Sequence, residues 1–303
     1  MTSQYTKDYL QLHFIVFLWG FTAILGMLVS MPSVELVFYR TFISAIALGV
    51  MLLVGKKSFA IGTLDIVKTL ATGVIIGVHW ILFFAAARLS NISVCLAGIA
   101  TISLWTSLLE PLMTKKRVKG FEVVLGLMAI VGIVIIFNVE FKYAWGLFVA
   151  IVSAFLAAVF TVINSQFTQR HYHFTVTFYE MIGATVSIAL FFPIYGAFFS
   201  DGVQLGLQGY DLLWLIILAL ACTVYAYSES VKLMKRIPAF AVNLAVNLEP
   251  IYGIILALLI FGEQEKMKPG FYLGTLVILS SVLVYPWINR YYERKALETD
   301  VLR

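Results

Sequence analysis

Charge is scarce in this chain. Asp, Glu, Lys and Arg make up 12% of its 303 residues, against roughly 25% in soluble domains. A chain so poor in charge cannot coat a water-soluble globule. With 61% hydrophobic residues and a mean hydropathy of +0.96, it belongs in a bilayer. Cysteine is nearly absent as well. Cys95 and Cys222 both fall inside apolar runs, where a thiol behaves as a small apolar group, so neither a disulfide nor a metal site is expected. Outside the apolar runs no stretch exceeds about fifteen residues, well short of the roughly 50 that a soluble domain requires. There is no Walker loop, HExxH or nucleophile elbow. ATP-driven transport by this chain alone, cofactor chemistry and catalytic residues are therefore not expected.

What the chain has in quantity is apolar runs. Ten are read as spans, at about 11–30, 34–54, 67–87, 91–113, 121–139, 144–166, 174–199, 210–231, 238–261 and 270–288, each close to the roughly 20 residues that cross a hydrocarbon core as a helix. Backbone facing lipid must be satisfied within its own segment, and the period-2 alternation of a membrane barrel is missing, so the expected fold is an all-α integral membrane protein. The first run follows Lys7 and Asp8 and shows no small-residue cleavage site, so it is read as a retained span.

Basic residues suggest an orientation. With the N terminus placed inside, sixteen of the 21 bases fall in inner connections, while only Arg88, Lys142, Lys266 and Lys268 lie outside and Arg40 lies within a span. The bias predicts cytoplasmic termini. The pI near 9.1 is then a topology signal. The bases are scattered over short segments instead of gathered on one face with aromatic platforms, so no nucleic-acid partner is expected.

Two stretches read almost as copies: Phe38-Tyr39-Arg40 opens the run to Leu48, and Phe178-Tyr179-Glu180 opens the run to Leu190. Sliding the second half back by about 140 to 148 residues also lays Ser90–Ile102 over Pro238–Pro250. Five spans per half force an inverted arrangement, with repeats at 1–142 and 143–303, the latter ending in a short cytoplasmic tail. Trp19-Gly20, Arg40, Leu108-Leu109-Glu110-Pro111, Lys115-Lys116-Arg117, Gly126, Leu248-Glu249-Pro250, Gly262-Glu263 and Gly274 follow in order over residues 8–290. In these the chain resembles the EamA family of the drug/metabolite transporter superfamily. That resemblance implies ten spans as two inverted five-helix repeats, a bacterial cytoplasmic membrane, and efflux of small metabolites. Glu110 and Glu249 look like repeat mates, but the offset places Pro250 opposite Ile102. Glu110 thus falls near the inner end of its span and Glu249 near mid-membrane, and their roles should differ.

Intramembrane polar residues supply the candidate site, because burying a charge in lipid is costly. Arg40 lies about six residues into the second run, roughly 9 Å deep, as a gate or substrate residue or as a structural anchor. Glu180 lies at a similar depth from the other face, so the two should not pair directly. Glu249 is the mid-membrane carboxylate, a candidate for solute binding or proton coupling, or one half of a structural ion pair. Asn243 and Asn247 share a helix face, about 200° from Glu249 on an ideal helix, and serve either the solute or helix contacts. Trp19, His79, Trp80 and Trp105, away from the interfacial belts, suit a pocket for a partly apolar organic solute or tight packing. Tyr225 and Glu229 belong to a polar inner end of the eighth run, read as a mouth or as interface. Asn91 heads a sequon but is better placed as a helix cap.

The expected function is secondary transport, by alternating access, of a small organic metabolite such as an amino acid. Its partners are the solute, the bilayer and the proton as a coupling ion, and the carrier is a monomer or homodimer. The alternatives are an intramembrane enzyme acting on a lipid-linked substrate, which would need a reactive cluster at one interface, and a channel, which would need a ring or filter of like residues.

Overall fold

The computed structural model describes residues 3–115, 119–139 and 141–301, and among these the regular structure is entirely helical. Helices α1 (Ser3–Gly20) and α2 (Thr22–Leu28) form one kinked path, followed by α3 (Ser33–Val54) and α4 (Thr63–Leu89). A broken path, α5 (Ile92–Ile99) and α6 (Ile102–Thr114), leads to α7 (Gly120–Val139). In the second half come α8 (Ala144–Phe167), α9 (His173–Phe198) and a path from α10 (Asp211–Ala219) to α11 (Ala226–Leu233) through the π-helical stretch Leu220–Tyr225. Another broken path, α12 (Ala239–Val246) and α13 (Glu249–Phe261), precedes α14 (Pro269–Val301). Eight paths are long and apolar enough to cross a membrane, and α7 and α14 contribute the shorter apolar stretches Gly120–Ile136 and Pro269–Ser281. The ten expected runs all coincide with helical paths, and three of them are interrupted where one continuous helix was expected.

The interruption between α12 and α13 has a local cause. Pro250 has no N–H to give the carbonyl of Val246 and sits in the first turn of α13, where a missing donor costs nothing. The chain tightens there: Asn247 N bonds Leu244 O at 3.1 Å, and Leu248 N bonds Ala245 O at 3.0 Å. The α5–α6 break has no proline within it. Thr101 turns the chain, with both its N–H and its hydroxyl donating to Gly98 O, at 3.1 and 2.8 Å. Laying Ser90 over Pro238 puts the two breaks at matching positions. In space α5 packs on α13, and α6 on α12, so each half-helix meets the half-helix of the other repeat.

Reciprocal ties also join the copied Phe-Tyr segments. Tyr39 Oη donates to Leu205 O at 2.8 Å in the connection after α9, and Tyr179 Oη donates to Phe59 O at 3.0 Å in the connection after α3. One turn earlier, Glu35 accepts from Gln204 N, and the Thr175 hydroxyl donates to Ser58 O, both at 3.0 Å. Each copy therefore pins a loop of the opposite half. The broken helices are capped across the halves too: Glu110 accepts from Phe240 N at 2.9 Å, and Glu265 accepts from Ile92 N and Ser93 N at 3.0 Å. Glu110 thus has its structural counterpart in Glu265. As expected, Asn91 caps α5, accepting from Val94 N at 2.9 Å.

Close approach is bought with small residues where α4 crosses α9. A methyl group on Gly73 would run into the Glu180 carbonyl, and one on Gly183 into the Leu70 carbonyl. Backbone cannot yield there as a side chain could. Gly183→Val is expected to lower stability by about 1–3 kcal/mol or more, seen as a reduced thermal unfolding midpoint in detergent. Gly62→Ala, where an added methyl meets nothing within 4 Å, should leave that midpoint unchanged.

Candidate solute-binding cavity

Between the halves lies a small cavity, with about 80 Å³ open to the centres of water molecules, walled by α1, α2, α3, α4, the two broken paths, α8 and α11. Arg40 and Glu249 both line it, together with the rings of Trp19, His79, Trp80, Phe83, Phe160 and Tyr227. Small polar groups of Thr22, Thr161, Ser230 and Asn243 complete the wall.

Arg40 is held without a carboxylate. Its guanidinium lies over the Trp80 ring, 3.7 Å from the centroid, an arrangement in which the negative ring face attracts the cation. Its Nε donates to Thr223 Oγ1 at 2.8 Å, while Nη1 has no hydrogen-bond partner. Thr223 lies in the π-helical stretch, whose extra residue per turn brings this hydroxyl towards α3. Only 1% of Arg40 is exposed, so the side chain is committed to the interior and does not snorkel to an interface.

Glu249 opens α13 at the helix break, where the partial positive charge of a helix N-terminus favours a carboxylate. The break also resolves the geometry of this segment. Asn243 and Glu249 would lie apart on a continuous helix, yet both reach the cavity. Asn243 Nδ2 donates to Thr106 Oγ1, and Asn247 Nδ2 to Ser103 Oγ, each at 2.8 Å, so both amides also join α12 and the residue after it to α6. Arg40 and Glu249 do not approach within ion-pair distance of each other, and both line the same space.

His79 is oriented by Ser153. The Ser153 hydroxyl donates its single proton to the His79 carbonyl at 2.9 Å. Nδ1, which stands 2.8 Å from Ser153 O and Oγ, must therefore carry the ring proton. Nε2 is left as the acceptor of the ring.

Glu180 stands behind the wall. Tyr227 Oη, on the cavity side, donates to Glu180 Oε2 at 3.0 Å and accepts from Asn164 Nδ2 at 2.6 Å. Glu180 and Arg40 form no ion pair with each other; Arg40 is turned onto Trp80 and Thr223. Four other sequence candidates lie outside the lining. Trp105 stacks edge-on against Phe155, with centroids 5.5 Å apart. Tyr225 is 40% exposed beside Phe14 on the outer surface of the bundle, and Asn247 is occupied by Ser103. Glu229 belongs to a clasp at the end of the bundle that carries the N terminus. It accepts from Gln11 at 2.7 Å and Lys232 at 2.8 Å, next to the Asp8–Arg236 pair at 2.6 and 2.7 Å. At the far end of the same helix paths Asp211 accepts from Ser30 N at 2.8 Å and Ser30 Oγ at 2.5 Å. The sequence reading missed Phe83, Phe160 and Asn164. Asn164, polar within an uncharged run, carried a detectable signal; the phenylalanines carried none.

The model of the EamA-like transporter family matches this chain twice, over residues 8–138 and 144–285. The chain belongs to the EamA-like transporter family. Both matches cover helices that wall the cavity, so this EamA protein is a multi-pass membrane protein of a transporter family whose cavity lies where its two matched regions meet. No curated protein matches it. A solved structure titled "Crystal structure of protein" shares the fold with a TM-score of 0.70 and 16% identity, over 95% of this chain and 99% of that one.

The amide contacts that hold the broken helices of this EamA protein together can be weighed directly. A double-mutant cycle of Asn247→Leu and Ser103→Ala is expected to give a coupling of about 0.6 kcal/mol, and no more than about 2, as for other hydrogen bonds between membrane helices. Equilibrium unfolding of the four proteins in mixed micelles measures it.

Proposed function

We propose that the protein is a secondary transporter of small zwitterionic metabolites, amino acids with an apolar side chain or close relatives, working by alternating access. The observation that carries this reading is the pairing of Arg40 and Glu249 on one aromatic-lined wall at separate positions. A carboxylate would find the unpartnered Nη1 of Arg40, an ammonium group would find Glu249, and an apolar body would lie against Trp19, Phe83 and Phe160. A solute with one charge alone would leave the opposite wall charge without a partner in a low-dielectric site, which is costly. The family does not favour an enzyme or a channel.

The inverted five-helix arrangement, with ten spans and cytoplasmic termini in a bacterial inner membrane, is part of the proposal. It is supported by the reciprocal loop ties, the matching helix breaks and the excess of basic residues in the connections assigned to the inside. Access alternates as the polar clasps at the two ends of the α1–α2 and α10–α11 paths open in turn, with Arg40 and Glu180 as matched positions in the two halves. Efflux as the cellular direction follows from the family resemblance.

Reconstitution into liposomes tests the reading with leucine and phenylalanine as solutes. Saturable uptake with counterflow is expected, with competition from other apolar amino acids and little from their amides or from hydroxy acids. Arg40→Gln and Glu249→Gln should each lower uptake at sub-saturating leucine by about tenfold to a hundredfold, corresponding to the roughly 1.5–3 kcal/mol of a charged hydrogen bond. Flux that rises without saturation at channel rates would refute the carrier.

A further inference from the structure

Glu180 is the one carboxylate of the central region that the solute site leaves unused. It is completely buried in α9. Its Oε2 accepts from Tyr227, and its Oε1 has no partner; Asn164 Oδ1 beside it has none either. Among the described residues no cation lies within ion-pair distance of it. The charged and titratable groups on the elements packed around it are otherwise engaged or distant. From α3, Arg40 is turned onto Trp80 and Thr223, and Glu35 is tied to Gln204. From α4, His79 is fixed by Ser153, and Asp65 pairs with His171 at 2.8 Å near one end, where Lys68 also lies; Arg88, near the other end, bonds Gly26 O at 2.9 Å. From α11, Glu229 is satisfied by Lys232 and Gln11, with His173 of α9 itself 3.5 Å away. α8, which supplies Asn164, has no charged residue.

An ionised carboxylate in such a place has only two donors to replace its hydration, the Tyr227 hydroxyl and the neighbouring Asn164 amide. An ionised acid inside a bilayer is costly, up to roughly 2.5–3.5 kcal/mol at the helix centre on the mildest scales. Taking up a proton removes that cost. Tyr227 is the only side chain that both bonds Glu180 and lines the cavity among the described residues.

We propose that Glu180, Tyr227 and Asn164 form a proton-binding site that exchanges with the solute cavity through the Tyr227 hydroxyl. In the exchange a hydronium ion in the cavity gives a proton to Tyr227 Oη as the phenolic proton passes to Glu180 Oε2. Water is released, tyrosine is regenerated neutral, and the carboxylate becomes a carboxylic acid. The site occupies the position in the second half that the permanent cation Arg40 occupies in the first. Resting on the carrier reading above, the proton held there is the coupling ion, because its site shares a wall with the solute.

The proton itself is the probe. Infrared difference spectra of the full-length protein in liposomes, recorded between acid and alkaline pH, should contain a protonated carboxyl band that disappears on deprotonation. Glu180→Gln should remove one such band, Glu249→Gln should leave that band in place, and Tyr227→Phe should shift its frequency by deleting the hydroxyl that bonds Oε2. If Glu180→Gln is poorly folded, the shift in Tyr227→Phe and its absence in Glu249→Gln decide the matter. A wild-type band unchanged in both Glu180→Gln and Tyr227→Phe overturns the site. In leucine counterflow vesicles, the ratio of uptake with an imposed pH gradient to uptake without one should exceed 1 for the wild type and fall to 1 in Glu180→Gln. Saturable counterflow with a wild-type ratio of 1 overturns the coupling role and leaves the carrier standing, whereas loss of saturable counterflow in the wild type overturns the carrier and leaves the infrared result to judge the proton site.

Discussion

A polar group inside a bilayer must find its partner within the protein, because lipid offers none. Most of the architecture described above answers that demand. The freed amides at the start of α5 and α12 are met by Glu265 and Glu110, and loop carbonyls are met by Tyr39 and Tyr179. In each of these contacts the donor and the acceptor come from opposite halves. Satisfying the backbone and joining the halves are therefore the same event, and the cavity lies where that joining leaves room.

The same demand explains why the cavity can carry charge. Arg40 meets its requirement with a ring face and a hydroxyl, and Glu249 meets it with the start of a helix and an open wall. Neither cancels the other. A cavity whose ionisable groups were paired internally would be a structural core; here the two groups stay apart. Glu180 contrasts with both, since it lies behind the wall and communicates with it through one hydroxyl.

Helix breaks convert a packed bundle into one with a site. On a continuous helix, Asn243 and Glu249 would project in different directions, and the interruption at Asn247–Leu248 brings both to one space while freeing Asn247 to hold α6. The π-helical stretch acts in the same way on Thr223 and Tyr227, giving one to Arg40 and the other to Glu180. Small residues complete the design where backbones must touch, as at Gly73 and Gly183.

Apolar run length, the placement of bases and the echo of Phe-Tyr-Arg in Phe-Tyr-Glu were enough to read a helical membrane protein made of two related halves, because those features depend only on local transfer energy and on residue order. The same reading found the charges worth attention, since an ionisable residue in an apolar run stands out without any structure. It did not reveal the break at Ala100–Thr101, which has no proline to mark it, or the capping roles of Glu110 and Glu265. It could not separate Trp19 and Trp80, which line the cavity, from Trp105, which packs on Phe155. Which side of a helix faces a neighbour is set by how the helices cross, and in lipid that crossing is decided by close packing and distant hydrogen bonds, not by a local preference written along the chain. The sequence by itself determined the class of protein and the stock of polar groups; the tertiary structure alone decided which of them share a wall.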